Sequence, residues 1–71
     1  MNRYQEAAQY ACKRDVRGCI KIEVWHNFVS VIAKEGDWLY EIINIPYEQI
    51  DTAPENPLIT AIDELIKEVE E

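Results

Sequence analysis

One histidine, two cysteines and a run of carboxylates are the groups in this chain whose chemistry could go beyond packing. His26 stands in the stretch Trp25-His26-Asn27-Phe28, between two large aromatics. A catalytic imidazole needs a nucleophile or carboxylate within reach and a third group to orient its ring, and its sequence neighbours supply neither. Cys12, Cys19 and His26 together fall short of the roughly four ligands of a structural zinc site. Without a secretory signal, the two cysteines are expected as reduced thiols. Two isolated glycines cannot build a phosphate-cradling loop. Asp63-Glu64 and Glu70-Glu71 are carboxylate pairs of the kind used for proton transfer, but on an amphipathic helix they fall on the solvated side. The expectation is a protein that is not an enzyme and carries no cofactor or metal.

Charge is distributed unevenly. Of the net −7, residues 1–34 contribute +3, from six basic and three acidic side chains, and residues 35–71 contribute −10, from Lys67 against eleven acids. A body this negative disfavours direct binding to nucleic acid and favours a protein partner with a basic surface. The acids that would form the contact are Glu41, Glu48, Asp51 and Glu55, with Glu64, Glu68 and Glu71 on the last helix. Acids at a helix C-terminus oppose the macrodipole at about 0.3–1 kcal/mol each. Glu64 and Glu68 also repel at i, i+4, leaving Asp63 with Lys67 as the favourable pair. Placement against helix stability points to selection for something else.

The elements that position these groups follow from periodicity. Seventy-one residues make one small domain, 1–71, near the lower limit for a self-sufficient core, so self-association would be unsurprising. An apolar content of 48% is too high for a disordered chain. The start of the chain lacks the apolar run of a signal peptide, and no stretch approaches the roughly 18 apolar residues of a membrane span, which predicts a cytoplasmic protein.

The first element reads as a helix. Asn2 and Gln5 resemble a capping box, Tyr4, Ala7, Ala8, Ala11 and Cys12 recur at helical spacing, and Lys13, Arg14 and Gly18 suit the exit. Three strands follow. A two-residue loop at His26-Asn27, residues that tolerate positive φ, pairs Trp25 with Phe28, Val24 with Val29 and Ile22 with Val31. One face then carries Ile20, Ile22, Val24, Val29, Val31 and Ala33 without a polar residue, and a slip of one residue would mix the faces. A second tight loop at Glu35-Gly36 adds Trp38, Tyr40 and Ile42 to that face and turns Leu39, Glu41 and Ile43 outward. The stretch NIPYEQIDTAPENP, with Pro46, Pro54 and Pro57, reads as a long connection. Asn56 caps the last helix, Pro57 takes its first position, and Leu58, Ile62, Leu65, Ile66 and Val69 form its apolar stripe.

The predicted fold class is α+β, in the order αβββα, with a three-stranded antiparallel meander and two helices on one face. Ile22, Val31 and Ile62 meet in its core. The outer sheet face is unusual. Trp25, Phe28, Ile32, Leu39 and Ile43 share it with Lys21, Glu23, Ser30 and Glu41, whereas a half-buried sheet usually turns polar residues outward. Its cover is expected to be the 45–56 connection, a second copy of the chain or a partner.

The αβββα order is similar to that of double-stranded-RNA-binding domains, which present a lysine-rich second helix to phosphate. Here that helix reads LITAIDELIKEVEE, the opposite charge. Order, size and acidity also look like those of small phage anti-CRISPR inhibitors that mimic nucleic acid, an analogy of architecture without a shared motif. Two functional expectations result. One is an acidic inhibitor or regulator occupying a basic nucleic-acid-binding groove of a partner protein. The alternative is a homodimeric assembly module built on the outer sheet face, with the acids serving solubility.

Overall fold

In the computed structural model, which describes residues 2–70, helix α1 (Arg3–Arg14) opens with the expected capping box. The Gln5 amide donates to Asn2 Oδ1 at 2.8 Å and the Asn2 amide donates to Gln5 Oε1 at 3.3 Å. Its buried contact is Ala7, with Tyr4, Tyr10 and Ala11 packed alongside. Ala8 and Cys12, expected on the same stripe, are exposed instead. After the helix, Asp15 accepts the backbone N–H groups of Cys19 and Ile20 at 3.0 and 2.8 Å. That carboxylate aligns the start of β1 (Ile20–Val24), while Gly18 turns the chain at φ 70°.

Strands β1, β2 (Phe28–Glu35) and β3 (Trp38–Pro46) form one antiparallel sheet in sequence order. The first hairpin has the register the alternation predicts, with Ile22 opposite Val31 and Val24 opposite Val29. The Trp25 amide donates to the Phe28 carbonyl at 2.9 Å. Its loop does not use the left-handed region, since among the described residues only Gly18 and Gly36 have positive φ. The tolerance of His26 and Asn27 for that region is therefore not what makes the turn.

The second hairpin differs from expectation in a way that matters for the surface. Glu35 pairs with Trp38, so the loop is Gly36-Asp37, and Gly36 supplies φ 59° at the first central position, as a II′ turn requires. Lys34 then pairs with Leu39 but Ala33 with Glu41, leaving Tyr40 as the extra residue of a bulge. Alternation changes sides there. Ile43 and Ile45 fall opposite Val31 and Val29 on the core face, and Ile42 falls opposite Ile32 on the outer one. The assignment of Glu41 and Ile43 to the outer face is thus corrected: Ile43 packs against the core, Glu41 falls opposite Ala33 on the same side but stays exposed, and Ile42 lies outside.

The 45–56 connection contains a short helix, α2 (Tyr47–Thr52), which the three prolines had disguised. Its signal was Tyr47 and Ile50, three residues apart among polar neighbours; Ile50 is fully buried. The connection therefore closes the core and leaves the outer sheet face uncovered. Helix α3 (Pro57–Glu70) is the central element, packing on all three strands through Leu58, Ala61, Ile62, Leu65, Ile66 and Val69. Helix α1 rests mainly on α3. Asn56 Oδ1 accepts the Leu58 amide at 3.1 Å, confirming the cap. Among the described residues, no helix is long and apolar enough to cross a membrane.

Candidate functional site

The charged side chains divide into those that hold the fold and those that do not. Arg3 donates to the carbonyls of Ile50, Pro54 and Glu55 at 2.7, 3.3 and 3.3 Å, fixing the end of α2 and the turn that follows it. Asn56 returns the link by donating to the Arg3 carbonyl at 3.0 Å and to Glu6 Oε1 at 2.9 Å. Tyr10 donates to Asp63 at 2.6 Å, which raises the tyrosine's pKa chiefly through that bond, and Arg14 stands 3.9 Å from the same carboxylate. Asp63 is therefore engaged by α1; the expected pairing with Lys67 is not among the ion pairs of the described residues.

Arg17 resolves the unfavourable end of α3. It donates to the Val69 carbonyl at 3.0 Å and to Glu35 at 2.6 Å, so a guanidinium from the α1–β1 loop meets the negative helix terminus. Its bond holds the Glu35 carboxyl below the usual range, despite a smaller opposing effect of burial. Cys19 is buried beneath this pair, and burial is the main cause of its raised pKa. Cys12 is exposed, and both thiols are free.

Glu41, Glu48, Glu55, Glu64 and Glu68 have exposed carboxylates with neither a hydrogen bond nor an ion pair among the described residues. Asp51 is exposed on α2 and neighbours Tyr4, whose pKa is raised by burial first and by Asp51 second. Glu71 lies outside the described residues. The fold brings two of these acids to one place. Glu55 and Glu64 stand on a cleft of about 510 Å³ bounded by Ile43–Ile45 of β3, Gln49 and Ala53 on the α2 side, and Pro57, Thr60 and Ala61 of α3. Among the described residues, its lining contains no basic side chain. Glu41, Glu48, Asp51 and Glu68 lie outside that lining, spread over β3, α2 and α3.

On the outer sheet face, Trp25, Leu39 and Ile42 remain 52%, 49% and 46% exposed. Phe28 and Ile32 are half-buried; the Trp25 and Phe28 rings lie 6.4 Å apart. Ser30 is buried in the middle, where its hydroxyl donates to Asn44 Oδ1 at 2.6 Å. A shallow depression runs beside them between Lys21, Lys34, Leu39 and Ile42. Trp38, expected in the core, is 67% exposed at the sheet end, edge-on to Tyr40. The Tyr47 hydroxyl donates to the Trp25 carbonyl and so ties the hairpin tip to α2. His26 is exposed there.

Among the described residues, no group of three or more His, Cys, Asp or Glu is arranged to hold a metal ion. No family model, curated protein or solved structure matches this chain.

Proposed function

We propose that this protein is a non-enzymatic binding module, an inhibitor or regulator whose acidic α2–α3 side occupies a basic, nucleic-acid-binding groove of a partner protein. The observation that supports this reading is the division of the carboxylates. Glu6, Asp15, Glu35 and Asp63 each satisfy a donor on a neighbouring segment, whereas Glu41, Glu48, Glu55, Glu64 and Glu68 satisfy none, as is also true of Glu23, Asp37 and Glu70 elsewhere on the surface. The arginines are largely spent on the fold, since Arg3 and Arg17 hold backbone carbonyls and Arg14 stands over Tyr10 beside Asp63. Self-repulsion among the free acids is left for an external cation to relieve.

The test is capture from cell lysate at low and high salt, followed by displacement of labelled nucleic acid from each captured protein. Wild type should displace it, with an affinity that falls as ionic strength rises. Glu55→Lys/Glu64→Lys/Glu68→Lys should lose displacement while remaining folded. Equal displacement by this variant, with an unchanged salt slope, would reject the acidic-surface reading.

A second reading, a homodimer through the outer sheet face, is favoured by the exposure of Trp25, Leu39 and Ile42 once the 45–56 connection is seen to pack elsewhere. Light scattering of wild type and Leu39→Lys tests it. A dimer mass that the lysine halves supports this reading, and a monomeric wild type ends it.

A further inference from the structure

Among the described residues, the strand order leaves β3 without a partner on one side. Sheet edges are ordinarily blunted by lysine, proline, a bulge or a covering segment. The other edge, β1, has five residues and carries Lys21. On β3 the bulge at Tyr40 and the terminal Pro46 protect the two ends, but the run Glu41-Ile42-Ile43-Asn44-Ile45 between them contains neither lysine nor proline. The α2–α3 connection stands off from this run and leaves the cleft of about 510 Å³ along Ile43–Ile45.

We propose that this edge accepts an extended, lysine- or arginine-bearing segment of the partner protein as a fourth strand. Main-chain hydrogen bonds to β3 supply affinity, and Glu55 and Glu64 across the cleft select positive side chains. The proposal rests on the acidic-surface reading and adds to it a mode of recognition, β-strand addition. At about 3.3 Å per residue, the run spans an edge of about 17 Å, along which Ile42 and Asn44 turn their main-chain groups outward, since Glu41, Ile43 and Ile45 alternate with them and bond to β2. Ile43 and Ile45 on one wall and Ala53, Pro57 and Ala61 opposite give the aliphatic stem of a lysine an apolar path. A second copy of this chain is a poor occupant, because pairing β3 with β3 would bring Glu41, Glu55 and Glu64 of both copies together.

The experiment uses the full chain and a seven-residue peptide of alternating lysine and valine, capped at both ends. Two further versions are N-methylated on alternate residues, one for each edge of the extended peptide. Affinity is measured by titration, and the site is mapped by amide chemical shifts. Binding should perturb the amides of residues 41–45 and of Ala53, Glu55 and Asn56. One methylated version should bind at least tenfold more weakly and the other within about twofold, because only one edge of the added strand faces β3. Glu55→Lys/Glu64→Lys, both exposed positions, should weaken the parent peptide at least tenfold with an otherwise native amide spectrum. If both methylated peptides bind like the parent while the lysine variant does not, strand addition is overturned and the acidic-surface reading survives. Indifference to the lysine substitutions overturns both. Absence of binding at millimolar peptide, or perturbation confined to β1 or to Ile32, Leu39 and Ile42, also overturns the proposal.

Discussion

The bulge at Tyr40 sets which of two adjacent isoleucines supports the core, and replacing each by alanine measures it. Ile43 lies on the core face opposite Val31, whereas Ile42 lies on the outer face and is 46% exposed. Isoleucine to alanine removes three carbons, about 2.4 kcal/mol at roughly 0.8 kcal/mol for each buried methylene. For Ile43, a residual cavity beneath the sheet adds to this, and its partial burial keeps the sum near the lower end of the usual range, at about 2–3 kcal/mol. For Ile42, already half in water, the loss is about 1 kcal/mol or less. A 71-residue domain has about 4–10 kcal/mol of stability in all, so the difference is large on that scale. Urea unfolding followed by tryptophan fluorescence is the assay. With a slope near 1 kcal/mol/M, Ile43→Ala should lower the midpoint by about 2 M and Ile42→Ala by less than about 1 M. An equal or larger effect at Ile42 would refute the bulged register and restore unbroken alternation along β3.

Ile62, fully buried on α3, should cost about 2–5 kcal/mol when cut to alanine, visible as a fall in melting temperature of at least about 10 °C. Glu35 titrates below its usual range in the folded chain because of Arg17, so its stabilising share is complete above the usual glutamate pKa of about 4.3 and is lost as pH falls through the lowered value. Arg17→Ala should therefore flatten the acid limb of a plot of stability against pH; an acid limb as steep as in wild type would count against that pairing. His26→Asn should leave the melting temperature and any partner binding unchanged, because the ring is exposed at the hairpin tip; a folded variant that no longer binds would show the imidazole in contact with the partner.

Much of this fold was legible in the order of residues because it depends on neighbours in the chain. Asn2 with Gln5, and Asn56 before Pro57, mark helix starts through bonds spanning two or three residues. The stripe of α3 and the first hairpin follow from periods of 3.6 and 2, and a wrong register would have mixed polar with apolar residues. Beyond Tyr40 that rule failed, because a bulge inserts one residue without changing composition, and only packing on α3 decides that Ile43 turns inward. The acids show the same boundary. Sequence located the charge excess, but which carboxylates are free depends on Tyr10 reaching Asp63 and Arg17 reaching Glu35, across separations of 53 and 18 residues. The cleft, likewise, exists only where β3 and α3 meet. Such meetings are set by the packing of whole elements, to which local periodicity is blind.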